Sequence, residues 1–277
     1  MATHLSNVSG KTIVITGAGS GVGAAAAREL HRRGAVVVPV GRSPVKAAAL
    51  AGELGVRVRT VDFANLADVH RLADELLARY PRIDVLANNA GGLWSQRIIT
   101  DDGHEQTFQV NALAPLLLTQ LLTERLQESG GRVIFTSSAK HKKATLDLDD
   151  LDSEHRYQPV QAYANSKLAA ALLTREYARR HPEIGVADFD PGSIASDFNR
   201  DMGRTGTLLR GPLGRLILSS PEKGAETLVY LAGTSESLHG QYYLNSRIAR
   251  ESAAARDPAE AQRLWDISNA MLGVSAR

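Results

Sequence analysis

Tyr163 and Lys167 lie four residues apart in AYANSKLAAALL (162–173), a run of helix formers. On an α-helix that spacing puts both side chains on one face. A phenol can deliver a proton to a developing alkoxide and take it back in reverse. Its ordinary pKa is near 10, so work near neutrality needs a fall of about 3 units, or roughly 4 kcal/mol. An ammonium about 4 Å away, at an effective dielectric near 20, supplies an attraction of that size. The pair is expected to be an acid–base device in which the lysine makes the phenol more acidic. The alternative is an ordinary amphipathic helix, so the surrounding elements must decide.

Those elements alternate. TIVITG (12–17) reads as a strand, 21–34 as a helix closed by Gly34, and AVVVPV (35–40) as a second strand. Ser43-Pro44 opens a helix to about Leu54, VRVRTVD (56–62) is a third strand, and Asn65 can cap a helix to Arg79. IDVLANNAG (83–91), RVIFTSS (132–138) and GVADFD (185–190) are further strands, with one long helix over 103–127 and the Tyr163 helix between them. A helix from Ser220-Pro221, a last strand GQYYL and a helix over 258–271 complete the chain. Near-continuously apolar strands alternating with helices predict an α/β fold, a doubly wound and mainly parallel sheet of about seven strands covered on both faces. No linker divides the chain, so residues 1–277 are expected to be a single domain. In such a sheet the ligand lies beyond the carboxyl ends of the strands.

The first of those ends carries TGAGSGVG (16–23). It misses the G-x-G-x-x-G pattern, because Val22 stands where the third glycine would fall, and reads T-G-x-x-x-G-x-G instead. Glycines let phosphate oxygens approach the main chain, and the helix N-terminus offers free N–H groups. The expected dinucleotide contacts here are Gly17, Ser20, Gly21, Val22 and Gly23. About 20 residues on, where a carboxylate would accept the ribose hydroxyls of NAD, the chain has Gly41 and Arg42. An arginine can clasp a 2′-phosphate, so NADP(H) is favoured over NAD(H). Asp62 could accept from the adenine amine, or could cap the turn that follows it.

Bulk properties exclude several other readings. Apolar residues make up 43% of the 277, and 32 basic against 30 acidic side chains leave a net charge of +2, so no nucleic-acid partner is expected. Cysteine is absent, no His or carboxylate cluster has metal-ligand spacing, and no metal is expected. No apolar stretch suits a leader or a membrane span, and a cytoplasmic location without membrane association is expected. The basic KHKK (140–143) and acidic LDLDDLDSE (146–154) read as a solvated, mutually compensating loop overhanging the site, with His141 on the surface. Trp94 is a candidate pocket wall, and Trp265 is expected in the core or at an interface.

Together these motifs resemble the short-chain dehydrogenase/reductase family, in its single-domain branch. The pieces arrive in family order over roughly residues 10–245: TGAGSGVG, NNAG (88–91), Asn111 in FQVNALAP, Ser138 in VIFTSS, YANSK and PGSIAS (191–196). TSSAKH, LDLDDLDSEHRY and ARDPAEAQRLWDISNAML (255–272) are similar to retinol-dehydrogenase-like members. The resemblance implies a Rossmann-type fold and hydride transfer between NADP(H) and a carbonyl or alcohol. Tyr163 would be the general acid/base, and Lys167 would tune it and bond the nicotinamide ribose. Ser138 would donate to the substrate oxygen, and Asn111 would hold a water in a proton relay. Asn89, Ala90 and Gly91 would touch the adenosine side, Pro191 and Gly192 would border the nicotinamide, and Ser196 would hold its carboxamide. Residues 193–219 would cover a small-molecule substrate, and their apolar members, Phe198, Met202, Leu208, Leu209 and Leu213, suggest a hydrophobic one. A homo-dimer or homo-tetramer is the family's usual state. The alternative function is a non-catalytic NADP(H)-binding regulator on the same fold.

Overall fold

The computed structural model describes residues 7–192 and 219–274. Ser196 and the apolar residues of the expected covering segment lie outside the described residues. Strand β1 (Thr12–Ile15) leads through the glycine loop into α1 (Gly21–Arg32). Then come β2 (Val36–Gly41), α2 (Pro44–Leu54), β3 (Arg59–Thr60), α3 (Leu66–Arg79) and β4 (Val85–Asn88). Ser43 and Asn65 cap α2 and α3 as expected, each accepting from a backbone N–H of the first turn.

The long helix expected over 103–127 is broken. A single turn, α4 (Gln106–Phe108), runs into a π-turn over Gln109–Leu113, then α5 (Ala114–Leu121) and α6 (Thr123–Glu128). Pro115 explains the break, because it has no N–H to offer the Asn111 carbonyl four residues back, and the backbone widens there. The rest of the described chain is β5 (Arg132–Thr136), α7 (Pro159–Arg180), β6 (Gly185–Asp190), α8 (Pro221–Gly233), β7 (His239–Leu244), β8 (Arg247–Ile248) and α9 (Pro258–Met271).

The sheet order is β3-β2-β1-β4-β5-β6-β7-β8, so the strand order reverses between β1 and β4. All pairings are parallel except the last, in which β8 returns antiparallel to β7. Eight strands therefore replace the seven expected. The extra one comes from a two-residue turn at Asn245 and Ser246, both at positive φ (50° and 58°), which folds the chain back as a hairpin. The third strand is far shorter than 56–62, because only Arg59 and Thr60 pair with β2. One core cluster joins this sheet to α3, α5, α7 and α9, with Tyr177, Leu113 and Leu264 fully buried. A second joins the opposite face to α1, α2 and α8 through Ile13, Leu30 and Leu228. Trp265 packs in the first cluster, with the Arg180 guanidinium 4.7 Å from its ring centroid.

Candidate active site

The glycine loop packs against the end of β4 at the point where the strand order reverses. Gly17 has φ +68°, and a Cβ there would stand 2.9 Å from the Ala90 Cα and the Asn89 Nδ2. At Gly23 a Cβ would fall 2.5 Å from the Asn89 Nδ2 and from the Gly17 carbonyl. Both positions therefore need glycine for the protein's own packing, beyond any ligand's approach. Thr16 ties the seam, its hydroxyl accepting from the Asn89 and Ala90 amides at 2.9 Å each. The Asn89 carboxamide donates to the Thr16 carbonyl (2.9 Å) and accepts from the Thr136 hydroxyl on β5 (3.3 Å). Gly21 has φ +56°, Val22 and Gly23 continue α1, and Ser20 at its N-cap makes no side-chain cap bond.

Arg42 is exposed directly after β2, and a Cβ on its neighbour Gly41 would lie 3.4 Å from the Gly19 amide. A second cation, Lys46, stands beside the same loop, since a Cβ at Gly19 would lie 3.5 Å from its own Cβ. Lys46 escaped the reading of the sequence, although its place in the first turn after Ser43-Pro44 was a usable signal. With no acidic side chain in the first turn of α1, the loop and its two cations suit an anionic ligand. The Asp62 carboxylate accepts from the Ala64 amide (3.0 Å) and so closes its own turn.

Tyr163 and Lys167 project from the face of α7 that meets the ends of β4, β5 and β6. Both are buried, Lys167 with 3% of its surface exposed. The Lys167 Nζ donates to the Thr136 carbonyl at 2.7 Å and lies 5.7 Å from the Tyr163 ring centroid. It also stands near Gly91, 3.5 Å from where a Cβ would be. Burial pushes the phenol up, opposed by a hydrogen bond with Ser138 and reinforced by the charge of Asp190. Burial also pulls Lys167 down, to about 8, against the charges of Asp190 and Asp188. Against the expected fall, burial raises the phenol.

Asn111 sits in the π-turn. Its Nδ2 donates to the Gly92 carbonyl and to the Ser166 hydroxyl, 2.9 Å each, and its Oδ1 accepts from the Gly92 amide, also at 2.9 Å. The Ser166 hydroxyl donates in turn to the Tyr163 carbonyl at 2.8 Å. Asn111 thus clips the segment after β4 to the Tyr163 helix. Ser138 follows β5, and its Oγ accepts from the Lys140 amide at 3.3 Å, which leaves its proton to donate. Pro191 and Gly192 directly follow β6, and Gly192 has φ +82°. The structure thus brings Asn111, Ser138, Tyr163, Lys167, Gly91 and Gly192 to one end of the sheet, beside the glycine loop.

The short chain dehydrogenase family profile matches residues 11–206. This chain is a short-chain dehydrogenase/reductase. It is 41% identical, over 97% of its length and 94% of the relative's, to a Streptomyces protein with the provisional name daunorubicin C-13 ketoreductase DnrU. It is 37% identical to human retinol dehydrogenase 14, covering 96% of this chain and 87% of that one. A crystal structure provisionally named as an NAD(P)-dependent gluconate 5-dehydrogenase from Beutenbergia cavernae, with NADP at low occupancy, superposes with a TM-score of 0.66 at 30% identity, over 85% and 95% of the two chains. The chain is accordingly an oxidoreductase of the retinol-dehydrogenase-like type.

Several residues of this dehydrogenase depart from their expected places. His141 is buried, with 1% of its surface exposed. Its Nδ1 meets the Ser138 carbonyl at 2.7 Å, and the Ser252 amide reaches its Nε2 at 3.5 Å. Trp94 lies in the first core cluster, and a Cβ on Gly92 would fall 2.5 Å from its ring. The acidic segment is built into the fold: Asp152 accepts from the Glu105 amide (2.8 Å) and faces His104, and Tyr157 donates to the Trp94 carbonyl (2.9 Å). No described helix is long and apolar enough to cross a membrane.

Proposed function

We propose that this protein is an NADP(H)-dependent ketoreductase or alcohol dehydrogenase for a hydrophobic small molecule. The observation that carries the reading is the Tyr163 side chain, buried against Ser138 with Lys167 on the same helix face, at the sheet end that also holds the glycine loop. NADP(H) would supply the hydride. Arg42 and Lys46 would grip its 2′-phosphate, the amides of Ser20, Gly21, Val22 and Gly23 its pyrophosphate, and Gly91, Lys167, Pro191 and Gly192 its nicotinamide side. That reading is supported by the NADP held in the Beutenbergia structure.

Ser138 donates to the substrate oxygen and stabilises its charge. Tyr163 delivers the proton to that oxygen during reduction and takes it back during oxidation. Lys167, with a pKa near 8, is mainly cationic at neutrality and favours the phenolate when the proton leaves. Asn111 holds the Gly92 segment and the Tyr163 helix in register. Hydrophobicity of the substrate is supported by the relatives, one named for a daunorubicin carbonyl and the other for retinol.

The test follows NADPH consumption over a panel of ketones and aldehydes that includes acetophenone, daunorubicin and all-trans-retinal. Turnover of one of them, abolished by Tyr163→Phe with NADPH binding retained, is the expected result. NADPH binding with no turnover of any carbonyl would instead leave a cofactor-binding regulator.

A further inference from the structure

We propose that Asp190 is a positioning residue that seats Ser138 against Tyr163, working with Tyr242 and His141 as a buried clamp. The inference rests on the catalytic reading above. Asp190 is the last residue of β6 and is 5% exposed. Its Oδ2 accepts from the Ala139 amide at 2.6 Å and from the Tyr242 hydroxyl at 3.2 Å. Its Oδ1 accepts from the Gly192 amide at 2.7 Å. One carboxylate therefore fixes the backbone directly after Ser138 and the turn directly after β6. Bonds to an ionised acceptor are the strong ones, and a buried carboxylate requires them.

His141 grips the same residue from the other side. Its backbone amide donates to the Ser138 carbonyl at 3.0 Å, and its Nδ1 lies 2.7 Å from that oxygen. With the Ser252 amide reaching Nε2, the ring is a neutral tautomer carrying its proton on Nδ1. Burial pulls its pKa down and so maintains that state. The ring stands edge-on to Tyr242, with centroids 5.1 Å apart at 76°, which completes the clamp. Ser138 is thus held through its carbonyl by His141 and through the next amide by Asp190. Its Oγ, occupied as an acceptor by the Lys140 amide, directs its proton towards the Tyr163 oxygen and the substrate.

Asp190 has an electrostatic consequence too. The groups around Tyr163 and Asp190 are Lys167 of α7, Asp188 of β6, Tyr242 of β7, and His141 of the turn after β5, with Arg175 of α7 acting on Asp188 and Lys142 5.7 Å from the Tyr242 ring centroid. Asp190 opposes the phenolate and helps keep Lys167 protonated. Its neutralisation removes both effects.

The experiment is a double-mutant cycle on the intact protein, with NADPH and the fastest carbonyl of the panel. Asp190→Asn is expected to lower kcat by about 50-fold, the scale of a misplaced catalytic group. In a Ser138→Ala background the same change is expected to cost under about threefold, because the group it seats is gone. Tyr242→Phe, which removes one bond to Asp190 and keeps the ring, is the milder variant and is expected to lower kcat by about fivefold with an unchanged melting temperature. The acid limb of the alcohol-oxidation profile should move to lower pH in Asp190→Asn. Full kcat in both Asp190→Asn and Tyr242→Phe, or a loss that repeats undiminished without the Ser138 hydroxyl, overturns the clamp and leaves the catalytic reading intact. Absence of turnover by the native chain overturns both.

Discussion

The two halves of the sheet end are built by different means. On the β1–β4 side, around the glycine loop, the structure is held by backbone and small neutral groups. Gly17 and Gly23 leave room for the Asn89 carboxamide, and the Thr16 hydroxyl receives two amides. On the β5–β7 side it is held by charge taken out of water: Lys167, Asp188, Asp190 and Glu251 are each less than a tenth exposed, and Arg175 pairs with Glu251. The contrast matches the two tasks. A polyanion needs N–H groups and close approach, which small residues provide. A proton transfer needs groups whose ionisation the surroundings have altered, which burial provides.

The largest effect that separates the halves is chemical. Tyr163→Phe is expected to lower turnover by about 10³-fold while NADPH affinity, read by fluorescence titration, changes less than about threefold. A comparable loss of affinity would mean that the Tyr163 hydroxyl itself holds the cofactor. Next comes packing in the glycine loop. Gly23→Ala places a methyl 2.5 Å from the Asn89 Nδ2 and should cost about 2 kcal/mol in urea unfolding, whereas Gly19→Ala meets only the Lys46 Cβ at 3.5 Å and should be near neutral.

Third, Arg42→Asp with Lys46→Glu should weaken NADPH relative to NADH by about 100-fold, since each removes a charged contact to the phosphate. An unchanged preference would place the phosphate elsewhere.

The most diagnostic effect is a pH dependence. Burial raises Asp188 from an ordinary value near 3.8 to about 7. Between those pH values the folded chain binds a proton that the unfolded chain has lost, so this group's contribution to stability falls as pH rises. Asp188→Asn has no such proton to lose. Its urea midpoint relative to the native protein should therefore climb from pH 4 to pH 7 and level off above. A constant difference would show that Asp188 stays ionised throughout.

The parts of the fold that were legible in the sequence are those set by local chemistry. Capping at Ser43 and Asn65, the apolar strands and the crossover helices follow from neighbours a few residues away, and apart from the short third strand and the broken helix over 103–127 they recur in the structure near the expected bounds. The break at Asn111 was readable in principle, since Pro115 lies four residues on, but the apolar run around it concealed the break. The Asn245-Ser246 hairpin was missed because neither residue is the glycine that usually announces such a turn.

By itself, then, the sequence determined an alternating sheet, a glycine turn at its first strand end, and a tyrosine and lysine one helical turn apart. Periodicity and spacing carry that information within short windows. Tertiary structure alone decided that Lys46 joins Arg42 at the loop, that His141 is buried, and that Asp190 gathers Ala139, Gly192 and Tyr242 around Ser138. It also decided that Tyr163 is raised by burial. The reason is physical. Ala139 and Asp190 are 51 positions apart, and Asp190 and Tyr242 are 52, so no local pattern marks them as partners. The cost of desolvating a charge exists only once the surrounding chain has closed over it.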